Sequence, residues 1–383
     1  MESPDISVVN DRSEWTNSLL NLPATLYHTW EWGEVRSSEG WKPWRILLKS
    51  AGSVRAAVQV LERQLPAPGC RILYAPRGIA FSSGESDKVL ELANWLKDFV
   101  RQRRAILLRM DPFFLDSDTE KKELHCRAGF RSLPYQWTRW NLPRPNMVID
   151  ISRSKEEILG KMRPRFRSYI RRAEKRNLPV LSGDAIKLRE DFYSLLQKTS
   201  ERQNFSIRDF QYISQLIETF SKSGNGSLFV AYEGERPAAG IFCARFSGSC
   251  YYTHGGFDWE RRELHAIEPL HWAAINWAKK FGCTTYDLLG AGTAYPPKES
   301  NYGYGLYNFK RGLGADLLYL AGYFDLVGNT FAYRMFRFGE DSAAGSLFGF
   351  ATRVRNWFRR NNVPQSNPNC VSHGDPQEAG SGE

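Results

Sequence analysis

The spacing of apolar positions divides the chain into two runs with the same order of elements. In the first, WRILLKS and VRAAVQVLE alternate on either side of Ala51-Gly52-Ser53, which predicts a β-hairpin, and CRILYAPRG predicts a third strand ending at Pro76-Arg77-Gly78. From Ser86 to Arg103 the residues Val89, Leu92, Ala93, Leu96, Phe99 and Val100 recur at helical spacing with charge on the opposite face. AILLRM then reads as a buried strand that stops at Asp111-Pro112, and Ser117 to Ala128 as a shorter helix closed by Gly129. Thr29 to Arg36, ahead of this run, reads as an aromatic and charged helix. In the second run SLFVAYEG and RPAAGIFCARF form a hairpin about Gly234, CYYTHGG gives a third strand, Leu264 to Phe281 a helix and TTYDLLG a strand. Hairpin, strand, helix, strand, twice over, predicts two related α/β modules, although the residues themselves match poorly.

Between the modules the polarity changes. Ser154 with Glu157 forms a capping box, and Pro164 at a first-turn position begins a second helical piece. Lys161, Arg163, Arg165, Arg167, Arg171, Arg172, Lys175 and Arg176 fall within sixteen residues and only Glu174 opposes them, while Phe166, Ile170 and Ala173 mark an apolar face. Such a helix can dock on the body with its cations outward, which suits a phosphate backbone; a solvated face is the ordinary alternative. Asp191 to Arg202 and Arg208 to Phe220 read as further amphipathic helices. Arg208 and Tyr212, four apart, would share one helical face, as a grip for one anionic ligand or as a surface pair.

Tyr286 to Asp316 is rich in glycine, contains Pro296-Pro297, and reads as a long loop folded over something. Within it Phe309-Lys310-Arg311-Gly312 sets two cations beside an aromatic and a glycine. That is a compact place to hold developing negative charge or phosphate, or else a solvated basic turn.

Composition narrows the classes. At 383 residues there is room for two domains, and 42% hydrophobic with 25% charged residues is ordinary for a globular protein. The net charge of +10 favours a polyanionic partner such as RNA, nucleotide phosphates or an acidic lipid surface. The six cysteines form no CxxC pair and read as reduced thiols of a cytoplasmic protein; the six histidines form no metal-ligand spacing, so no metal is expected. The polar start resembles no targeting segment, and no apolar run is long enough to span a membrane. Residues 341–361 read as a basic amphipathic helix able to rest on an anionic membrane surface, and 362–383 as a disordered tail. The nearest approach to an acetyl-CoA pyrophosphate loop, RxxGxG/A, is Arg311-Gly-Leu-Gly314-Ala-Asp316, with Asp316 at the last small-residue position.

TWEWGEVR, YAPRG, RMDP, RPRFRSYIRRAEKRN, TSERQNFSIRDFQYI, YYTHGGFD, INWAKKFGCTTYDLLG, YNFKRGLGAD and GYFDLV occur in this order. Together they resemble the FemABX peptidyltransferases, which use aminoacyl-tRNA to add amino acids to the stem peptide of peptidoglycan precursors. The resemblance runs from about Thr29 to Asp325. It implies an α/β (α+β) fold of two GNAT-like domains around a cleft: residues 1–145, completed by about 321–340, and 146–320, which holds the basic helix 154–177. The coiled-coil arm of some members has no room here. The resemblance further implies that Lys310, with Phe309 beside it, is catalytic. Arg36, Arg208 and Tyr212 would hold precursor phosphate, Tyr252 and Asp111 would line the pocket, and Arg163, Arg165, Arg167, Arg171, Arg172 and Lys175 would contact tRNA. Expected partners are aminoacyl-tRNA as co-substrate, with no separate cofactor, and lipid II or UDP-MurNAc-pentapeptide as acceptor. The expected protein is a monomer at or near the cytoplasmic membrane face. The rival readings are a GNAT-type N-acyltransferase using acyl-CoA and a non-catalytic RNA- or membrane-binding scaffold.

Overall fold

The computed structural model describes residues 5–65, 69–82, 84–133, 145–293, 295–301 and 303–341. The expected helix at 341–361, beyond its first residue, and the expected tail at 362–383 lie outside the described residues.

The first run folds as β1 (Asp5–Val8), α1 (Arg12–Leu19), α2 (Trp30–Ser37), β2 (Lys42–Ser50), β3 (Ser53–Gln64), β4 (Arg71–Ala75), β5 (Ala80–Phe81), α3 (Ser86–Gln102), β6 (Ala105–Met110), α4 (Thr119–Arg127) and β7 (Arg131–Ser132). The second begins with β8 (Pro145–Asp150), α5 (Lys155–Lys161), α6 (Pro164–Lys175), β9 (Val180–Gly183), α7 (Ile186–Gln203) and α8 (Phe210–Lys222). It continues with β10 (Gly226–Glu233), β11 (Arg236–Phe246), β12 (Ser249–Phe257), α9 (Ile267–Lys280), β13 (Thr285–Gly290), α10 (Tyr304–Gly312), β14 (Asp316–Tyr319), β15 (Phe324–Val327) and α11 (Thr330–Asp341). Local chemistry sets several starts. Asp11 and Thr29 cap α1 and α2 through backbone N–H groups three residues on, and Ser154 and Glu157 form the expected capping box ahead of α5.

The two sheets repeat one plan. In the first, the β2/β3 hairpin leads through antiparallel β4 to β6, which is parallel to β4 because α3 makes the crossover. In the second, β10 and β11 lead through antiparallel β12 to β13, parallel again, with α9 as the crossover. Each sheet then takes a strand from outside this sequence. β8 lies antiparallel to β13, and β15 returns from the far end of the described chain to lie antiparallel to β6. The orders are β1-β2-β3-β4-β6-β15-β7, with β5 on β3, and β14-β8-β13-β12-β11-β10-β9. β15 is fastened by a buried pair: Arg109 on β6 donates to both carboxylate oxygens of Asp325 at 2.7 and 2.8 Å.

Both sheets belong to one compact unit, Met1–Tyr333. A hydrophobic cluster crosses between them: Trp15, Leu26, Val35 and Leu47 of the first half pack with Phe192, Leu195, Ile217 and Phe242 of the second. The second unit, Arg334–Glu383, is described only through residue 341, as the continuing helix in which Arg337 pairs with Glu340 at 2.8 Å.

Two consequences are measurable. Asp325→Ala leaves the Arg109 guanidinium buried beside a missing partner and should cost about 3–5 kcal/mol. Because an apolar cluster is shared between the halves, tryptophan fluorescence and circular dichroism in a urea titration should report a single transition whose midpoint falls in the variant.

Candidate active site

Tyr286 to Asp316 is not one loop. β13 takes its first residues, and Tyr304–Gly312 is the helix α10, so Lys310 lies in a helical last turn. Glycine and proline obscured a short helix whose start depends on a glycine. Gly303, its N-cap, has φ +77°, and a Cβ there would lie 1.8 Å from the carbonyl oxygen of Gly292.

Lys310 is buried, with 4% of its surface exposed. Its Nζ donates to the carbonyl oxygens of Leu288 and Gly290, both at 2.6 Å. These two carbonyls converge because Leu289 between them is left-handed, φ +59°. Asp287 holds that bend: its Oδ1 accepts from Leu289 N at 2.7 Å and from Asn146 Nδ2 of β8 at 2.9 Å. Burial pulls the Lys310 ammonium down from the ordinary 10.5 to about 8, with the Asp287 charge acting in the opposite direction. An ammonium has three donors, and the carbonyls use two.

Aromatic groups form the rest of this wall. The Tyr252 ring centroid lies 6.0 Å from Nζ, and His271 stands edge-on to Tyr252 at 4.6 Å and within 5.7 Å of Phe309. His271 Nδ1 bonds with the Tyr286 hydroxyl at 2.9 Å. Burial, then the Lys310 charge, lowers the imidazole to about 3, so it is neutral. Phe309 also faces Phe166 of α6, and a Cβ at Gly312 would come within 2.6 Å of that ring, which fixes the close approach of α10 to α6.

Asp111 is committed within the structure. It accepts from the Tyr74 hydroxyl at 2.8 Å and from Arg77 N at 3.1 Å, and its other oxygen lies 3.5 Å from the Arg77 guanidinium. Its carboxyl is raised to about 6 by burial, against the pull of Arg77. Arg77, itself left-handed at φ +62°, lies over the Tyr27 ring, and its charge also acts on Asp287 of the second sheet. Asp287 therefore feels a cation from each half, Arg77 and Lys310.

Arg36, Arg208 and Tyr212 come together, though not as a helical pair. Arg208 precedes the N-cap Asp209 of α8, so it shares no helical face with Tyr212; the chain turns its guanidinium back over the Tyr212 ring at 5.4 Å. Arg36, in the last turn of α2, lies over Trp32 and Trp41 at 5.9 and 5.4 Å, and its charge acts on the Tyr212 phenol. Glu39 joins the two cations, one carboxylate oxygen paired with Arg36 and the other 2.7 Å from Arg208.

The basic helix divides. Arg167 donates to the carbonyls of Met162 at 2.6 Å and Gly160 at 3.2 Å, closing the end of α5, and Arg163 donates to Asn308 of α10 at 2.5 Å. These two work inside the fold, contrary to a uniformly outward set. Arg165, Arg171, Arg172 and Lys175 are exposed. Asp287, Glu39, Arg77 and His271 were not singled out from the sequence. The one available signal was an acidic residue just before a glycine, in Glu39-Gly40, or just before a glycine-rich stretch, in Asp287.

The FemAB family pattern matches residues 14–233, and an acetyltransferase (GNAT) domain pattern matches 160–310. Among curated relatives, the lipid II:glycine glycyltransferase of Staphylococcus aureus (strain USA300) is 23% identical over 376 residues, covering 80% of this chain and 88% of that protein. The crystal structure of FemX aligns with a TM-score of 0.79 at 20% identity, over 88% of this chain and 99% of that one. A tandem GNAT protein from the clavulanic acid biosynthesis pathway aligns at 0.50 with 12% identity, over 85% and 99%. At these identities the two structures speak for the fold. Fold and matches together define a transferase built from two GNAT-like halves. Within that class, the chain belongs to the FemAB family.

Because Lys310 titrates at about 8 in the folded chain against the ordinary 10.5, folding releases its proton between those values. The cost of burying the charge is present below pH 8 and absent above pH 10.5. Relative to Lys310→Met, the native chain should therefore gain stability as pH rises across that window, read as the difference in urea midpoints.

Proposed function

We propose that this chain moves an aminoacyl group from aminoacyl-tRNA to the stem-peptide amine of a peptidoglycan precursor, lipid II or its UDP-linked antecedent. The observation that carries the proposal is the buried Lys310 ammonium, held by two carbonyls with one donor left over, in a chain whose relative acts as a lipid II:glycine glycyltransferase. The amine nitrogen attacks the ester carbonyl and a C–N bond forms. The C–O bond to the ribose breaks, and the proton lost by the amine ends on the departing hydroxyl. Between these events the carbonyl oxygen is anionic, and Lys310 stabilises it from a fixed position in a site of low polarity. An ester is already activated and an amine is a good nucleophile, so placement and this one charge supply most of the acceleration.

Arg36 and Arg208 would hold the precursor's phosphates, with Tyr212 and Tyr252 orienting it. The exposed Arg165, Arg171, Arg172 and Lys175 would meet the tRNA backbone, and the acceptor's lipid would bring the chain to the membrane surface. The GNAT pattern over 160–310 favours an acyl-CoA donor as a second reading. Against it, the Arg311–Asp316 segment leaves the carboxyl end of α10, where the helix dipole is negative and repels a pyrophosphate.

Lys310→Met should reduce transfer by about a hundredfold or more with the fold intact; near-normal turnover with charged tRNA, or activity with an acyl-CoA instead, would refute the assignment. The working form is the ammonium, so kcat should decline as pH rises past about 8. Replacing Arg165, Arg171, Arg172 and Lys175 by Gln should reduce the slope of log affinity for tRNA against log salt by roughly 3 to 4. Arg163→Gln or Arg167→Gln should lower stability instead.

A further inference from the structure

Glu39 occupies the position that a ligand's charge would take. Its carboxylate is shared between Arg36 of α2 and Arg208 ahead of α8, so it spans the two halves of the molecule. Among the described residues it is the one carboxylate in ion-pair contact with either guanidinium. The other polar neighbours are neutral. Burial raises the Tyr212 phenol, and burial with the Arg208 charge lowers the His254 imidazole to about 4. The Glu39 side chain is 13% exposed and sits on the turn after α2, before Gly40 at φ +82°. That turn is closed by backbone bonds that do not use the carboxylate, Glu39 N and Trp41 N to Arg36 O at 3.1 and 3.2 Å and Gly40 N to Ser37 O at 3.0 Å. The carboxylate can therefore rotate away without opening the turn.

We propose that Glu39 is a resident anion displaced by an incoming diphosphate, and that it sets the preference of this site for multiply charged phosphate over singly charged anions. The inference rests on Arg36 and Arg208 being the phosphate site. Two guanidiniums and one carboxylate carry a net charge of about +1. A singly charged ligand merely replaces one carboxylate by another anion and returns Glu39 to water, with little net gain. A diphosphate gives each guanidinium its own phosphoryl group and two parallel hydrogen bonds, which repays the lost pair. In the ligand-free chain the same carboxylate keeps two cations from facing each other unscreened.

Calorimetric titration of the full chain with inorganic pyrophosphate and with inorganic phosphate at about pH 6, where phosphate is mostly singly charged, tests this. Glu39→Gln should bind pyrophosphate roughly tenfold more tightly and gain still more for phosphate, so that the preference between them narrows. Unchanged or weaker pyrophosphate binding in Glu39→Gln would overturn the inference, since Glu39 would then organise the arginines rather than compete for them. Arg208→Gln separates the two layers. If it leaves pyrophosphate binding unaltered in both backgrounds, the phosphate site itself is misplaced; if it weakens binding while Glu39→Gln fails to strengthen it, only the role of Glu39 falls.

Discussion

A lysine ammonium almost fully removed from water needs its hydrogen bonds supplied by the protein, and much of the second sheet is arranged to supply them. Two carbonyls must face one nitrogen, which an ordinary strand cannot do because carbonyls two residues apart, though on the same side, lie about 6.6 Å from each other. β13 solves this by putting Leu289 into a left-handed conformation, strained for a branched side chain, and Asp287 with Asn146 holds the bend in place. Asn146 in turn is available because β8 runs antiparallel beside β13. One charge thus accounts for the end of a strand, a neighbour in the sheet and the helix that follows.

The same constraint reaches across the molecule. Arg77, paired with Asp111 at the end of β6, also lends its charge to Asp287 of the second sheet. That linkage requires the halves to keep a fixed separation, which the apolar cluster of Trp15, Leu26, Phe192 and Phe242 enforces. Packing between the sheets is therefore part of the chemistry: a shift at the seam would alter both the Arg77–Asp287 distance and the reach from Arg208 to Glu39.

The order of strands and helices was readable because strand alternation and the helical face of Val89 to Val100 are strong local signals, and the repeated order exposed the two-part plan. Less was readable at the site. α10 was hidden because glycine and proline ahead of it read as loop. Arg208 was placed on a helix because spacing carries no information about where the N-cap falls, and Asp209 is the cap. Arg167 and Arg163 looked like their exposed neighbours because a charge pattern cannot distinguish a guanidinium in water from one closing a helix end. Lys310 stood out by its sequence context, whereas Asp287 and Glu39 act through contacts with residues remote in the chain or on another element.

β15 has a consequence for biosynthesis. Its partner Arg109 is 216 residues earlier in the chain than Asp325. While the polypeptide is being made from its amino end, the outer edge of β6 waits for Asp325 through the synthesis of nearly the whole second half. Maturation of the first sheet is therefore late, and a truncated product would present an open strand edge on which other nascent chains could assemble.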